Sequence, residues 1–277
     1  MEVRSLFWDA AAPGVYPRWR RLSRLKIGNA GDLFNRDLVG YLYNAQLRNT
    51  VGEGQRLLLV GSVANAIATG DVVCGIGTKG AAIRPRKSIG DVLVRGVRGP
   101  LTHAALSDAG YDVSDVRFHL DPGLLADSVY AEQVSSVQSE RGRVVFIPHY
   151  RERWRFRSSR SLKVVSIDCE PRDLAIEILR AEHVYASSLH GIVFAHALGR
   201  PCTLVAPATE EPEVKYRDYF ASLSLGWRRP ESLARALKQR KADSPLDVRK
   251  TLDDFDFPTV EDLQARGIVR AAEPAGN

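Results

Sequence analysis

The chain has 277 residues, a net charge of +6, 44% hydrophobic and 26% charged residues, which is the composition of a globular protein with ordinary cores and excludes a mini-protein or global disorder. Its length exceeds the usual single domain, so two compact lobes are expected. No apolar run approaches the roughly 20 residues that span a bilayer, and Met1 to Trp8 lacks a signal peptide's basic start and long apolar core, so a cytoplasmic protein is expected.

Arginine outnumbers lysine 31 to 8 among the 39 basic residues. Arginine suits bidentate capture of phosphate or carboxylate, although a GC-rich genome also enriches it. Cys74, Cys169 and Cys202 are odd in number and far apart, without a C-x-x-C pair, and read as reduced buried thiols.

In chain order, Tyr16 to Lys26 places aromatics among five cations, which suits either a solvated charged segment or a membrane-surface one. A loop from Asn29 feeds a helix carrying Leu38, Val39, Leu42 and Tyr43, with Asp32 near its N-terminus. Leu57 to Val60 and Val72 to Cys74 are short apolar runs followed at once by glycine and small polar residues, as buried parallel strands ending in ligand-facing loops would be. Val92 to Val94 is a third strand, and a helix from Leu101 closes at Gly110. The pattern restarts after a polar stretch: strands at Val144 to Ile147, Lys163 to Ile167, Val184 to Ala186 and Cys202 to Val205 alternate with helices at Arg172 to Ala181 and from Ser187 to Ala195. Helices are expected over Glu231 to Lys241, Leu246 to Asp254 and Val260 to Arg266. The alternation implies an α/β fold of two doubly wound lobes, residues 1–130 and 143–270, facing a cleft, with 131–142 as linker and 271–277 as a frayed tail.

Gly75-Ile-Gly-Thr-Lys-Gly80 matches G-x-G-x-x-G but fails that motif's context, because Pro85 blocks the helix that should follow; a close backbone approach to some ligand remains open. In Ala186-Ser-Ser-Leu-His190-Gly191 a strand ends, two serines offer capping oxygens, and His190 falls in the first helical turn, where free N–H groups favour an anion. A lone histidine there reads as a capping or packing residue; the serine pair Ser187 and Ser188 and the strand-end position point instead to a phosphate or carboxylate socket holding an acid/base group. His149 also ends a strand and precedes Arg151, Arg153, Arg155 and Arg157. Were that segment extended, all four arginines would line one face, suited to diphosphate or an acidic glycan, while a solvated loop is the plainer alternative. No helix-turn-helix, aromatic platform or metal-ligand spacing is visible, so neither nucleic acid nor a metal site is expected.

Asn29-x-Gly-Asp32-x-x-Asn35, Val60-Gly-Ser62, Gly75-x-Gly77, Val97-Arg-Gly-Pro-Leu-Thr102, Leu120-Asp-Pro-x-Leu-Leu125, Ile147-Pro-His-Tyr150, Ser187-Ser-Leu-His-Gly-Ile192, Gly199-Arg-Pro201 and Lys215-Tyr-Arg-Asp-Tyr219 occur in an order that resembles the polysaccharide pyruvyltransferase family, with its bacterial exopolysaccharide members most similar. The resemblance implies two Rossmann-like lobes of the GT-B type, phosphoenolpyruvate as donor, no cofactor, and a pyruvate ketal on a sugar as product. Some members carry arginine two positions before the motif histidine, where this chain has Ser188, so Arg98 and Lys215 become the candidates for the donor's charge.

Ketal formation needs cations, an acid and a base. The expected assignments are Arg98 on the donor's carboxylate or phosphate, Ser187 and Ser188 around its phosphate, and His190 as proton donor or phosphate ligand. Asp32 is expected to orient or deprotonate an acceptor hydroxyl with Asn29 and Asn35 in support, although an Asp at a helix start is commonly a cap. Lys215 and Asp218 also fit an ordinary helix-surface pair. The exopolysaccharide resemblance suggests a polyprenyl-diphosphate-linked saccharide acceptor at the inner face of the membrane, with peripheral lipid contact. A nucleotide-sugar glycosyltransferase and a non-catalytic polysaccharide-assembly protein are the other readings.

Overall fold

The computed structural model describes residues 1–8, 25–51, 54–239 and 245–270. Strands β1 (Glu2–Ser5), β2 (Gln46–Asn49), β3 (Leu57–Leu58), β4 (Val72–Cys74), β5 (Leu93–Val97) and β6 (Phe118–His119) form a first, parallel sheet in which β1, β3, β4, β5 and β6 follow in that order and β2 pairs with β1. Strands β7 (Val144–Ile147), β8 (Lys163–Val164), β9 (His183–Ala186) and β10 (Cys202–Leu204) form a second, all-parallel sheet in the order β10, β9, β7, β8. A mixed α/β fold with parallel sheets is therefore present, and the continuous apolar runs are strands buried on both faces. In β7, Val144 and Phe146 enter one apolar cluster while Val145 and Ile147 enter another.

The helices are α1 (Ala30–Tyr43), α2 (Pro100–Asp108), α3 (Ala126–Val129), α4 (Ala131–Val134), α5 (Pro171–Arg180), α6 (Leu189–Ala197), α7 (Val214–Ser222), α8 (Leu233–Gln239) and α9 (Val260–Ala265). Asn29 starts α1 as an N-cap, its side chain accepting from the Gly31 amide at 3.1 Å, and Asn44 stops it in the left-handed conformation. Phe34 and Leu38 of α1, Leu124, and Ile192 and Phe194 of α6 join one core that reaches Leu57 and Cys74 in the first sheet and Val145 and Val184 in the second. The edge-to-face pair Phe34–Phe194, 5.2 Å between centroids, sits between the two sheets. This shared core holds the carboxyl ends of both sets of strands around one cleft.

Three segments add to the expected organisation. Residues 131–142 include α4, whose Val134 is buried. Only Leu252–Asp254 of the expected helix over Leu246 to Asp254 forms a turn, of 3-10 type. The C-terminal segment returns to the first sheet: Phe255 and Phe257 pack edge-on against Phe118, Tyr43 donates to Pro258 O at 3.1 Å, and β11 (Val269–Arg270) pairs antiparallel with β1. Aromatic burial thus overrides chain order, and 255–270 does not sit with the rest of 143–270. The tail 271–277 and the stretch from Tyr16 to Arg24 lie outside the described residues.

Gly75 and Gly77 of the loop after β4 make room for protein atoms. A Cβ at Gly75 would lie 2.3 Å from Pro122 Cγ, and one at Gly77 would lie 2.0 Å from Arg98 Cζ. Cys74, Cys169 and Cys202 are free thiols.

Candidate active site

The carboxyl ends of β1 to β4 and of β7 and β9 surround a cleft of about 1180 Å³. Asn29 and Asp32 line it from the start of α1, Lys79 from the loop after β4, His149 and Arg151 from the loop after β7, Ser188 and His190 from the start of α6, and Glu211 and Lys215 from the approach to α7.

His190 lies against α1: a Cβ on Gly31 would fall 1.8 Å from its Nδ1. Its Nε2 is buried without a hydrogen-bond partner. Burial, reinforced by the positive charges of Arg98 and Lys215, pushes its pKa down to about 3, so the ring is neutral near pH 7. Ser187 and Ser188 donate their amides to Ile147 O at 3.1 and 3.3 Å, and the first bond of α6 runs from Ile192 N to Ser188 O at 3.4 Å. The amides of Leu189, His190 and Gly191 precede that bond and carry the positive end of the helix dipole. The serines divide: Ser188 lines the cleft, whereas the Ser187 hydroxyl accepts from His149 N at 2.9 Å and donates to Glu152.

Lys215 Nζ donates to Glu211 Oε2 at 2.9 Å and stands 3.5 Å from His149 Nε2. Burial lowers the Lys215 pKa, with Glu211 acting in the opposite sense. Burial, then Lys215, Arg151 and Lys79, drives the His149 pKa far down and keeps that ring neutral. Its Nε2 consequently faces the ammonium as an acceptor, leaving Nδ1–H directed at Glu211 Oε1, 3.4 Å away and outside hydrogen-bond geometry. Arg151 Nη1 donates to the same Oε1 at 3.0 Å. Glu211 was not a sequence candidate; the only signal for it is its position four residues before Lys215.

Arg98 and Asn35 do not present free polar groups to the cleft. Arg98 is 1% exposed, and its nitrogens donate to Asp218 Oδ2 at 3.2 Å, Ser62 Oγ at 2.8 Å and Thr78 O at 2.6 Å. Asp218, read as a possible surface residue, is fully buried and also accepts from the Leu101 and Thr102 amides and from the Thr102 hydroxyl at 2.6 Å. The Asn35 amide bridges Asp32 O at 2.9 Å with the Val60 carbonyl and amide, both at 3.0 Å. Asp32 itself is 8% exposed and lines the cleft.

The arginine stripe does not form. Arg153–Arg155 is a 3-10 turn, not a strand, and Arg153 and Arg155 donate to the carbonyls of Tyr150 and Ala208. Glu152 fixes that turn by accepting from Ser187 and from the Ala208 amide, so Arg151 alone of the four lines the cleft. Among the described residues, no group of three or more His, Cys, Asp or Glu is arranged to hold a metal ion, and no helix is long and apolar enough to cross a membrane.

Residues 40–209, more than half of the chain, match the model of the polysaccharide pyruvyl transferase family. The chain belongs to this family. The pyruvyl transferase match contains Arg98, His149, Ser187, Ser188 and His190 and leaves Asn29, Asp32, Asn35 and Lys215 outside it. The chain is 28% identical over 249 residues to an uncharacterized protein of Acanthamoeba polyphaga mimivirus, with 84% of this chain and 81% of that protein covered. A solved structure of a functionally uncharacterized protein from Klebsiella pneumoniae aligns with a TM-score of 0.44 and 12% identity, over 79% of this chain and 86% of that one. In this pyruvyl transferase, the start of α6, Lys215 and Arg151 line one cleft with the carboxylate of Asp32, which reaches it from α1.

Proposed function

We propose that the protein transfers pyruvate from phosphoenolpyruvate to two hydroxyls of a saccharide, forming a ketal and releasing phosphate. The observation that carries this reading is the buried, unpartnered Nε2 of His190 at the start of α6 in a cleft shared with Lys215 and Arg151, in a chain of the pyruvyl transferase family. In this proposal the helix start, Lys215 and Arg151 hold the donor's phosphate and carboxylate, with Ser188 and His149 beside them. The donor's negative charge raises the basicity of His190, which takes up a proton and delivers it to the methylene carbon. The central carbon, now cationic, is attacked by the first hydroxyl, whose proton passes to Asp32; the second hydroxyl displaces phosphate, which leaves with the remaining proton.

Asn29 and Asn35 support Asp32 by shaping the start of α1, and Arg98 acts as a positioning residue that ties Ser62 and Thr78 to α7. The two sheets serve as GT-B-like halves, residues 1–130, joined by the returning 255–270, on the acceptor side and the rest of 143–270 supplying the donor side. Lys215, Arg151, a protonated His190 and the start of α6 face the donor's phosphate and carboxylate, and the proposed reaction runs with neither metal nor cofactor. The acceptor is a saccharide, carried on polyprenyl diphosphate at the inner face of the cell membrane, and the cations from Arg18 to Lys26 contribute peripheral contact in the cytoplasm.

The test is incubation with phosphoenolpyruvate or with nucleotide sugars, plus saccharide acceptors, in chelator, following phosphate release and the proton signal of a ketal methyl group. Phosphate and ketal appearing together are expected. Consumption of nucleotide sugars would establish the glycosyltransferase reading, and no turnover with any donor would favour the assembly protein.

A further inference from the structure

Glu211 occupies an unusual place for a carboxylate in a cleft that binds an anion. Its side chain is 6% exposed and accepts from Lys215 Nζ at 2.9 Å and Arg151 Nη1 at 3.0 Å, with His149 Nδ1 at 3.4 Å. Lys215 and Arg151 line the same cleft as His190, and with His149 neutral they set two positive charges against the one negative charge of Glu211. A carboxylate held by one guanidinium and one ammonium has the geometry that an incoming phosphate or carboxylate would take on the same two cations. The two anions cannot both keep those partners, because a second anion on the same two nitrogens would face Glu211 at close range in a partly buried cleft, where like charges repel strongly.

We infer that Glu211 is a resident anion that keeps Lys215 and Arg151 paired while the cleft is empty and gives them up when an anionic ligand of the phosphate or carboxylate class binds. The inference rests on the donor site described above and adds a specificity rule to it. A ligand must compete with Glu211, so a neutral molecule or a weakly charged one leaves the cleft in its closed, self-paired state. A dianionic phosphate group displaces the side chain, which stands before the start of α7 and outside that helix's buried residues Tyr216 and Asp218. Release of Glu211 also removes the anion that opposes the lowering of the Lys215 pKa, so the ligand itself must supply that counter-charge.

The test compares wild type with Glu211→Gln, which keeps shape and hydrogen-bonding capacity but removes the competing charge. Titration calorimetry with inorganic phosphate is expected to show binding roughly tenfold tighter in the variant, and the variant's lower unfolding temperature is expected to be restored by phosphate. A merely structural Glu211 would give the opposite: weaker or unchanged phosphate binding, which overturns the inference. Should the variant fail to fold, the wild type answers alone. Carbodiimide labelling of Glu211, read by peptide mass spectrometry, is expected to increase several-fold on adding inorganic sulfate, and no increase overturns the exchange. Wild type that binds phosphate but does not turn over phosphoenolpyruvate removes the donor reading while leaving the exchange to stand; wild type that binds neither anion removes both.

Discussion

Arg98 and Lys215 are both buried cations at the cleft, and their surroundings differ in kind. Around Arg98 the guanidinium has three partners, and its anion Asp218 accepts four hydrogen bonds, three of them from Leu101 and Thr102 at the start of α2. Around Lys215 the arrangement is incomplete: Glu211 is divided between two cations, and His149 and His190 each have a buried nitrogen without a hydrogen bond. Complete satisfaction marks a joint that holds the fold, and a partly satisfied cluster under low dielectric marks the place where a ligand supplies what is missing. A buried arginine at a strand end, taken from the sequence alone, does not say which of the two it is.

The sharpest way to break this contrast is on the incomplete wall. His190→Gln is expected to lower turnover of phosphoenolpyruvate by roughly 10²–10⁴-fold, the usual contribution of a positioned acid/base group, with little change in the urea midpoint. Loss of folded protein with normal turnover in the remainder would make His190 a packing residue.

On the complete wall the expectation reverses. Arg98→Ala leaves Asp218 as an uncompensated buried charge and is expected to cost about 3–5 kcal/mol of stability, measured by urea unfolding. Arg98→Lys is expected to lower the midpoint by less while the donor KM of the folded fraction stays near wild type. A normal midpoint with a raised KM would move Arg98 into the binding site.

Gly31→Ala sharpens the assignment of His190 without touching a reactive group. The added methyl would meet the imidazole at 1.8 Å, so the ring must shift, while alanine itself suits the helix. Turnover is expected to fall by about 10²-fold, the scale of a misplaced catalytic group, with α1 intact by circular dichroism. Wild-type turnover would mean that the ring's position is not critical.

Stability against pH tests the three buried histidines together. Unfolded histidines take up protons below about pH 6.5. The folded protein refuses them, because burial holds His190 near 3 and His196 near 4 and pushes His149 lower still. Their contribution is therefore complete above pH 6.5 and is lost as pH falls toward those values, by at most about 1.4 kcal/mol per pH unit for each histidine. Urea midpoints from pH 8 to pH 4 measure this, and a flat profile would contradict neutral burial of all three.

Much of the fold was legible because some segments state their structure locally. Val72–Cys74 and Val144–Ile147 are apolar runs stopped by glycine and proline, and both strands match the expected bounds. The helix from Pro171 to Arg180 has a one-sided apolar face. Polar Gln46–Asn49 gave no such signal, since an edge strand alternates between half-buried and exposed positions and shows no buried run. Val269–Arg270 is two residues long and is a strand only because β1 offers it an edge. The site divides the same way. His190 was legible from a strand-to-helix junction, whereas the roles of Arg98 and Asp218 depend on a contact spanning 120 residues, and Glu211 lay in a charged stretch that reads as a loop.

The central claim is that the unpartnered nitrogen of His190 is the group that receives the donor. Nitrogen-15 NMR of the histidine side chains, recorded from pH 5 to pH 8 with and without phosphoenolpyruvate, tests it most directly. Without ligand, the His190 signals are expected to remain those of a neutral ring across the whole range, in keeping with a pKa near 3. With ligand, Nε2 is expected to move toward the hydrogen-bonded, protonated position as donor charge enters the cleft. A His190 that titrates near pH 6.5 in the free protein, or one whose signals do not respond to phosphoenolpyruvate, would contradict the account.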